Sequence, residues 1–352
     1  MLEDIKKLIN NFAKAKVLVV GDLILDEYIW GEAERISPEA PVPIVLQKGN
    51  SSYLAGGAAN VAANLRSLGA EVFLCGIVGK DNDADLLLQQ LKELQINTQG
   101  VFFDNKKPTI KKTRIIAGHQ QLVRLDREVV GDSLYLNDKI VDFIKENLKK
   151  VDALIIEDYG KGVINRNFLE RISSFLRKSK LIITIDPKED HFDMYRRLHA
   201  TAITPNRKEA ENAIRNIKIK DSRRYLRINF DKLNTDSRIN QAGKELLRYL
   251  NMQMVLVTLG EQGMRLFEKG KSPYQIDTVA QEVFDVSGAG DTVIAVFTLG
   301  LIGGALPCQA ARLANFAAGI VVKKIGVATP RIEEILKIIN DYGSSRNNTR
   351  AL

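Results

Sequence analysis

Short apolar, β-branched runs recur along the chain at residues 17–20, 71–78, 153–156, 181–185 and 254–258, each followed by a polar or glycine-rich turn and then a segment of helical period. Runs that are apolar at consecutive positions predict strands buried on both faces. Their alternation with helices predicts an α/β fold with a mainly parallel central sheet covered on both sides. In such sheets ligands bind beyond the carboxyl ends of the strands. Those ends read Gly21-Asp22, Glu157-Asp158, Asp186-Pro187 and Thr258-Leu259-Gly260, so polar groups gather where a site belongs.

Two stretches break this rhythm. Residues 27–54 and 99–127 contain extended segments (PVPIVLQ, TIKKTRIIA, QQLVRLD) with no room for a crossover helix, punctuated by Pro38, Pro41, Pro43 and Pro108. They predict antiparallel strands in a small projecting sheet, a lid or subunit contact. The opening MLEDIKKLINNFAKAK reads as an amphipathic surface helix leading into the first strand, not as an export signal. The pattern places one α/β unit over residues 1–335, followed over 336–352 by a terminal helix end and, from residue 343, a frayed tail.

Composition narrows the setting. With 352 residues, 45% hydrophobic and 27% charged, the chain has ample material for a core, and a wholly disordered protein is excluded. Two cysteines (Cys75, Cys308) and three histidines (His119, His191, His199), with no HExxH or CxxC, exclude a disulfide scaffold and a thiolate zinc site. So few cysteines lead to the expectation of a reduced, cytoplasmic setting, and no run is long and apolar enough to span a bilayer. The net charge of +8 is concentrated between residues 212 and 240. Arg215, Lys218, Lys220, Arg223, Arg224, Arg227, Lys232 and Arg238 face only Asp221, Asp231 and Asp236 there. With no aromatic platform beyond Tyr225 and Phe230, this stretch reads as a solvated surface insertion before a nucleic-acid or membrane contact.

The sharpest chemical signal is Asp285-Val286-Ser287-Gly288-Ala289-Gly290-Asp291-Thr292, followed directly by an apolar helical run. Small residues let a ligand approach the backbone, and the N–H groups of Ala289, Gly290 and Asp291 at a helix start form an anion nest. A carboxylate inside such a nest needs a task, and general base for an attacking hydroxyl fits Asp291; capping the helix is the simpler alternative. Neither a Walker GxxxxGK[ST] nor an HRD/DFG set is present. The second signal is AGGAANVAANL from Ala55. Gly56 and Gly57 allow backbone contact with a small polar ligand, and Asn60 offers a donor and an acceptor, although close packing on the sheet also explains the glycines and alanines. Asp22 can accept two hydroxyl protons from the same ligand, with Asp26 assisting.

GGAANVA with Gly69 and Gly79, together with DVSGAGDT near the C-terminus, resembles the two signatures of the ribokinase-like, or pfkB, carbohydrate kinases, over residues 16–330. Val296 departs from the small residue many members carry. The resemblance implies a ribokinase-like fold, ATP with Mg²⁺, and Asp291 as catalytic base beside Gly288, Ala289 and Gly290. It further implies nucleotide and phosphate contacts from Asn206, Arg207, Lys208 and Glu209, an NxxE segment in which Glu209 reaches magnesium through water. Thr258, Gly260 and Gly263 resemble the family's TxGxxG turn, and Asn315 with Gly326 falls where its adenine pocket is built.

Within the family, GDLILDEYIWG, RISPEAPVPIV, KPTIKKTRIIAGHQQLVRLDRE, EDYGKGVI and IDPKEDHFDMYR resemble the kinases of D-glycero-β-D-manno-heptose 7-phosphate. That likeness implies ATP-dependent phosphorylation of the anomeric hydroxyl to the 1,7-bisphosphate, on the route to ADP-heptose and lipopolysaccharide. A homodimer through the lid is also expected. With no HxGH motif, adenylylation is expected of a separate adenylyltransferase. A phosphorylated sugar calls for cations, and Lys112, Arg114 and Arg124 on the lid strands are the expected ligands, with Lys161 and Lys188 in reserve; solvated strand-edge charges are the plain alternative. The rival activities are another kinase of this fold, acting on fructose 1-phosphate, ribose or adenosine, and a non-catalytic binding protein that uses the basic stretch.

Overall fold

A computed structural model describes residues 2–118, 120–129, 131, 133–220, 226–280 and 282–349. The strands are β1 (Lys16–Gly21), β2 (Leu23–Ile36), β3 (Pro43–Gln47), β4 (Ser52–Gly57), β5 (Glu71–Gly79), β6 (Asn97–Asp104) and β7 (Ile110–Ala117). They continue with β8 (Gln120–Arg127), β9 (Ala153–Glu157), β10 (Ile182–Asp186), β11 (Ala202–Ile203), β12 (Met254–Thr258), β13 (Met264–Glu268) and β14 (Tyr274–Ile276). Among the described residues they form two sheets. The larger has the order β14-β13-β12-β11-β10-β9-β1-β5-β6 and is parallel from β12 to β6, with an antiparallel β12-β13-β14 edge.

Strand β1 shows why its residues make this sheet. Val17 and Val19 enter one hydrophobic core and Leu18 and Val20 the other, so a strand without polar alternation is buried on both faces. The first core is closed by helices that include Ala58–Ser67, Ala289–Ile302 and Pro307–Val321. The second is closed by helices that include Asn137–Asn147, Arg166–Leu176 and Asp236–Leu250. Helix Ala289–Ile302 is apolar all round and buried from Asp291 to Gly300, as a helix packed between a sheet and two other helices must be.

The smaller sheet has the order β3-β2-β7-β8, with β4 also on β2. The residues from Leu23 to Tyr28 in β2 are buried in the body of the protein, whereas its far half is exposed, so one strand carries the sheet outward. Three expectations change here. Strand β6 joins the larger sheet, because helix Asn82–Glu93 supplies the parallel crossover from β5; the projecting strands begin at β7. Strand β7 pairs with β2 in parallel, and antiparallel pairing is confined to β2-β3, β2-β4 and β7-β8. The C-terminal helix runs over Ile332–Thr349, through most of the expected tail, since extending a helix anchored by buried Ile335 and Ile339 needs no new nucleus.

Both ends of the basic stretch lie in helices, Arg207–Lys220 and Asp236–Leu250. Arg215 pairs with Asp231 and Lys232 with Glu211, while Lys218 donates to the Phe230 carbonyl. Arg223, Arg224 and Tyr225, and the last three residues of the chain, lie outside the described residues. No helix among the described residues is long and apolar enough to cross a membrane.

Candidate active site

The two glycine-rich segments meet at the carboxyl ends of the parallel strands. Gly288 takes φ of +76°, and a Cβ there would lie 2.7 Å from Asn60 Nδ2, so only glycine lets the two segments touch. Asn60 Nδ2 donates to Asp291 Oδ2 at 2.6 Å across 231 residues of sequence. The Tyr159 hydroxyl donates to Asp291 Oδ1 at 3.0 Å. Behind them Asn64 Nδ2 donates to Asn60 Oδ1 (3.1 Å) and Thr292 Oγ1 to Asn64 Oδ1 (2.8 Å), which fixes the ladder between the two helices. Burial pushes the Asp291 carboxyl up to about 6, against the donors Asn60 and Tyr159, which pull it down. The Ala289 N–H is not free for a nest, because it donates to the Val286 carbonyl. Among the described residues the N–H groups of Gly290 and Asp291 are left for an anion.

Asp291 and Gly290 line a cleft of about 360 Å³ with Glu157, Asp186, Lys188, Thr204, Asn206, Glu209, Thr258 and Gly288 among its walls. Carboxylate oxygens of Glu157, Asp186 and Asp291 all lie within 4.8 Å of one another. Burial, then the neighbouring Asp186 and Asp291 charges, hold the Glu157 carboxyl well above its ordinary range. Burial and the Glu209 and Asp291 charges do the same to Asp186. Asn206 and Glu209 cap their helix reciprocally. The Asn206 N–H donates to Glu209 Oε2 (2.8 Å) and the Glu209 N–H to Asn206 Oδ1 (2.9 Å). Burial pushes Glu209 up to about 7. Arg207 turns to the Gln262 side-chain oxygen, and Lys208 is exposed.

Across Gly290 and Thr258 opens a largely apolar cavity of about 610 Å³, walled by Gly260, Gly263, Val283, Val286, Val293 and Asn315. Asn315 Nδ2 donates to the Asp277 carbonyl at 2.8 Å. Gly326 is not in that wall: its N–H donates to Asp285 Oδ2, and a Cβ there would press on the Tyr28 ring.

The expected sugar ligands are placed unequally. Asp22 is fully buried, and its carboxylate accepts backbone N–H groups of Tyr159 (3.0 Å), Lys161 (3.0 Å) and Val163 (3.1 Å). It staples that loop to the strand ends and has little capacity left for hydroxyls. Burial pushes it up to about 6. Asp26, further along the chain in β2, sits against Gly56, where a Cβ would lie 2.2 Å from Asp26 Oδ2. Gly57 takes φ of +57° as β4 turns into helix Ala58–Ser67. Arg114 is buried, ion-paired with Asp26, and stacked over Tyr28 at 5.2 Å. Arg124 is exposed and forks onto Asp126 (2.7 and 2.9 Å). Lys112 lies over the Tyr159 ring at 4.8 Å, and burial lowers its pKa. Lys161 pairs with Glu128 and Lys188 with Glu189.

The chain matches the pattern of the "pfkB family carbohydrate kinase" over residues 14–334. It belongs to the pfkB family of carbohydrate kinases. It is a phosphotransferase enzyme of that kind. Curated relatives include "Bifunctional protein HldE" of Desulfatibacillum aliphaticivorans, 41% identical over 95% of this chain and 65% of that protein. The protein of the same name in Helicobacter pylori (strain J99) is 43% identical over 92% of this chain and 66% of its own length. The chain thus spans about two thirds of the length of these relatives. Among solved structures, phosphofructokinase-2 from Escherichia coli in complex with substrates and products superposes with a TM-score of 0.73 at 16% identity, over 93% of this chain and 98% of that one. Arabidopsis thaliana ribokinase complexed with ribose and ATP gives 0.68 at 20% identity, over 92% and 98%. At such identities these two likenesses concern the ribokinase-like fold alone.

Beside the family's two signatures stand residues given no role from sequence: Glu157, Asp186 and Tyr159. Their signal was the polar ends of β9 and β10, which the alternation of runs and turns had already marked as the place for a site.

Proposed function

We propose that this protein transfers the γ-phosphoryl group of ATP to the anomeric hydroxyl of D-glycero-β-D-manno-heptose 7-phosphate, giving the 1,7-bisphosphate and ADP on the route to ADP-heptose. The observation that carries the reading is the Asn60–Asp291 contact, which joins the two signatures into one site between an acidic cleft and an apolar cavity. The kinase relatives named HldE, at 41–43% identity, favour the heptose substrate.

In this mechanism the hydroxyl oxygen bonds to the γ-phosphorus as the bond to the ADP oxygen breaks, and Asp291 takes the hydroxyl proton. With its carboxyl near 6, Asp291 is ionised at neutral pH yet basic enough to receive that proton as it is released. Asn60 and Tyr159 hold both its oxygens in place. The N–H groups of Gly290 and Asp291 take the charge gathering on the phosphoryl oxygens. The apolar cavity beside Asn315 receives the base, and Thr258, Asn206 and Glu209 border the phosphate path. The donor set fits Mg²⁺, because it is all oxygen and buried Glu157 Oε2 lacks a hydrogen-bond partner. Glu157 and Asp186, with Glu209 through water, would hold the ion, which when bound neutralises phosphate charge.

Asp26, rather than the saturated Asp22, is the acceptor for sugar hydroxyls in this reading. Lys112 receives the sugar phosphate, since Arg114 is committed to Asp26. Arg124 can join, because an exposed pair such as its contact with Asp126 is worth only about 0–1 kcal/mol. A second copy of this chain covers the open lid face, where Ile36, Leu46, Val123 and Leu125 are exposed; a monomer in sedimentation at micromolar concentration would remove that part.

A phosphorylation panel of heptose 7-phosphate, fructose 1-phosphate, ribose and adenosine, with the product's phosphate position read by NMR, tests the reading. The expected result is preference for the heptose phosphate and a new anomeric phosphate. Preference for an unphosphorylated compound overturns it.

A further inference from the structure

We propose that the amino ends of β9 and β10, at the opposite end of the sheet from the cleft, carry a binding site for a monomeric anionic amphiphile, an alkyl chain with one anionic head. A cavity of about 630 Å³ opens there, a size within the roughly 300–1,000 Å³ of small-molecule sites. Its apolar walls are Leu148, Val151, Phe175, Leu181, Ile182 and Ile302. The place has a structural cause. Ile182 and Ile302 pack against one hydrophobic core, and Leu148, Phe175 and Leu181 against the other, so both cores reach the surface where the sheet ends.

The charge around these walls is one-sided. Lys145, Lys149, Lys178 and Lys180 are exposed members of the same lining, and among the described residues none has an ion pair or a side-chain hydrogen bond. Asp152, the carboxylate of the lining, already accepts the Lys16 backbone N–H at 2.9 Å. A helix favours a cation in its last turn, which accounts for Lys145 at the end of helix Asn137–Asn147. Lys149 lies beyond that helix, and Lys178 and Lys180 lie beyond helix Arg166–Leu176, where that effect has faded. Four unpaired cations around an apolar cavity concentrate anions at its mouth.

The walls select the rest of the ligand. Ser179, the uncharged polar side chain of the lining, gives its hydroxyl proton to the Leu176 carbonyl at 2.7 Å. A sugar or a nucleotide base would leave polar edges unmatched against these walls, whereas an alkyl chain needs no partner and its head meets the lysines. Asp291 stands in the first turn of helix Ala289–Ile302 and Ile302 at its end, roughly 16 Å apart at 1.5 Å per residue. The amphiphile and the substrates of the cleft therefore do not compete.

The test titrates sodium decanoate, below the concentration at which it forms micelles, into the full chain by isothermal titration calorimetry, with and without ATP. The expected result is one decanoate per chain, its affinity unmoved by ATP. Octanoate should bind at least about fivefold more weakly, since each buried methylene is worth about fourfold. A variant combining Lys145→Gln, Lys149→Gln, Lys178→Gln and Lys180→Gln, all on exposed positions, should bind decanoate at least about tenfold more weakly than the parent. No binding at millimolar decanoate overturns the proposal, as does unchanged binding by that variant, or octanoate or inorganic sulfate binding as well as decanoate. Displacement by ATP also overturns it, by placing the chain in the cavity beside Asn315. So does lysine-dependent binding of phosphatidylglycerol vesicles without binding of decanoate, which would make this face a membrane contact.

Discussion

The carboxylates at the ends of β9 and β10 and the cations of β7 and β8 border the same region, and the fold treats them in opposite ways. Glu157, Asp186 and Asp291 are crowded together without a neutralising side chain among them. On the lid nearly every charge is matched: Arg114 with Asp26, Arg124 with Asp126, Arg127 with Asp81 and Asp83, Lys111 with Glu27 and Asp83. Lys112, lying on the Tyr159 ring rather than on a carboxylate, is an exception. Charges that hold the lid are paired inside the protein. In the cleft the three carboxylates have one another for neighbours and no cation of their own, the arrangement expected of charges that a ligand satisfies.

The hardest test of this contrast is Asp291→Asn, which keeps the Tyr159 contact but cannot accept a proton. Turnover should fall roughly 10²–10⁴-fold with the KM values for sugar phosphate and ATP within a few-fold of the parent, in steady-state kinetics. A variant within about tenfold of the parent would remove the general-base assignment. On the paired side, Arg114→Met strands Asp26 as a buried lone charge and should cost about 3–5 kcal/mol in denaturant unfolding. Unchanged stability would show that Arg114 is not committed to holding the lid.

Lys112→Met should raise KM for the sugar phosphate by about tenfold to a hundredfold, the worth of one charge-assisted hydrogen bond, with KM for ATP unmoved. Arg124→Gln, on the exposed pair, should change either KM by less than about fivefold. The reverse ranking would place the phosphate on the outer lid strand. The pH profile probes the Asp291 carboxyl without any substitution. The Asp291 carboxyl, raised to about 6, is protonated as pH falls through that value, and only the ionised form accepts a proton. kcat/KM should therefore fall to half near pH 6, approach a tenfold drop per unit below it, and level off about one unit above it. A profile flat down to pH 4.5 would show that Asp291 titrates as an ordinary carboxylate.

Much of the fold was legible because its signals are local. The run of Val17 to Val20 buries both faces of β1, and the polar ends of β9 and β10 line the cleft beside Asp291. Strand β6 was misplaced because the apolar periodicity of residues 99–104 says nothing about which edge they join; helix Asn82–Glu93 decided that. In the candidate site, the two glycine-rich segments that the sequence singled out meet at Asp291, Gly288 and Asn60. The site was not legible at Asp22, whose acceptors are filled by a loop about 140 residues away, nor at Gly326, which turns to Asp285 and Tyr28.

The sequence by itself determined the alternation of strands and helices, the two glycine-rich starts that allow close approach to a ligand, and an aspartate at the head of an apolar helix. Only the tertiary structure decided which charges are satisfied. Burial and pairing are set by neighbours across the sheets: Glu157 beside Asp186 through the β9-β10 register, Asp26 beside Lys112 through β2-β7, and Asn60 on Asp291 through the packing of two helices. A carboxylate's chemistry follows from what surrounds it, and those surroundings are assembled from residues far apart in the chain.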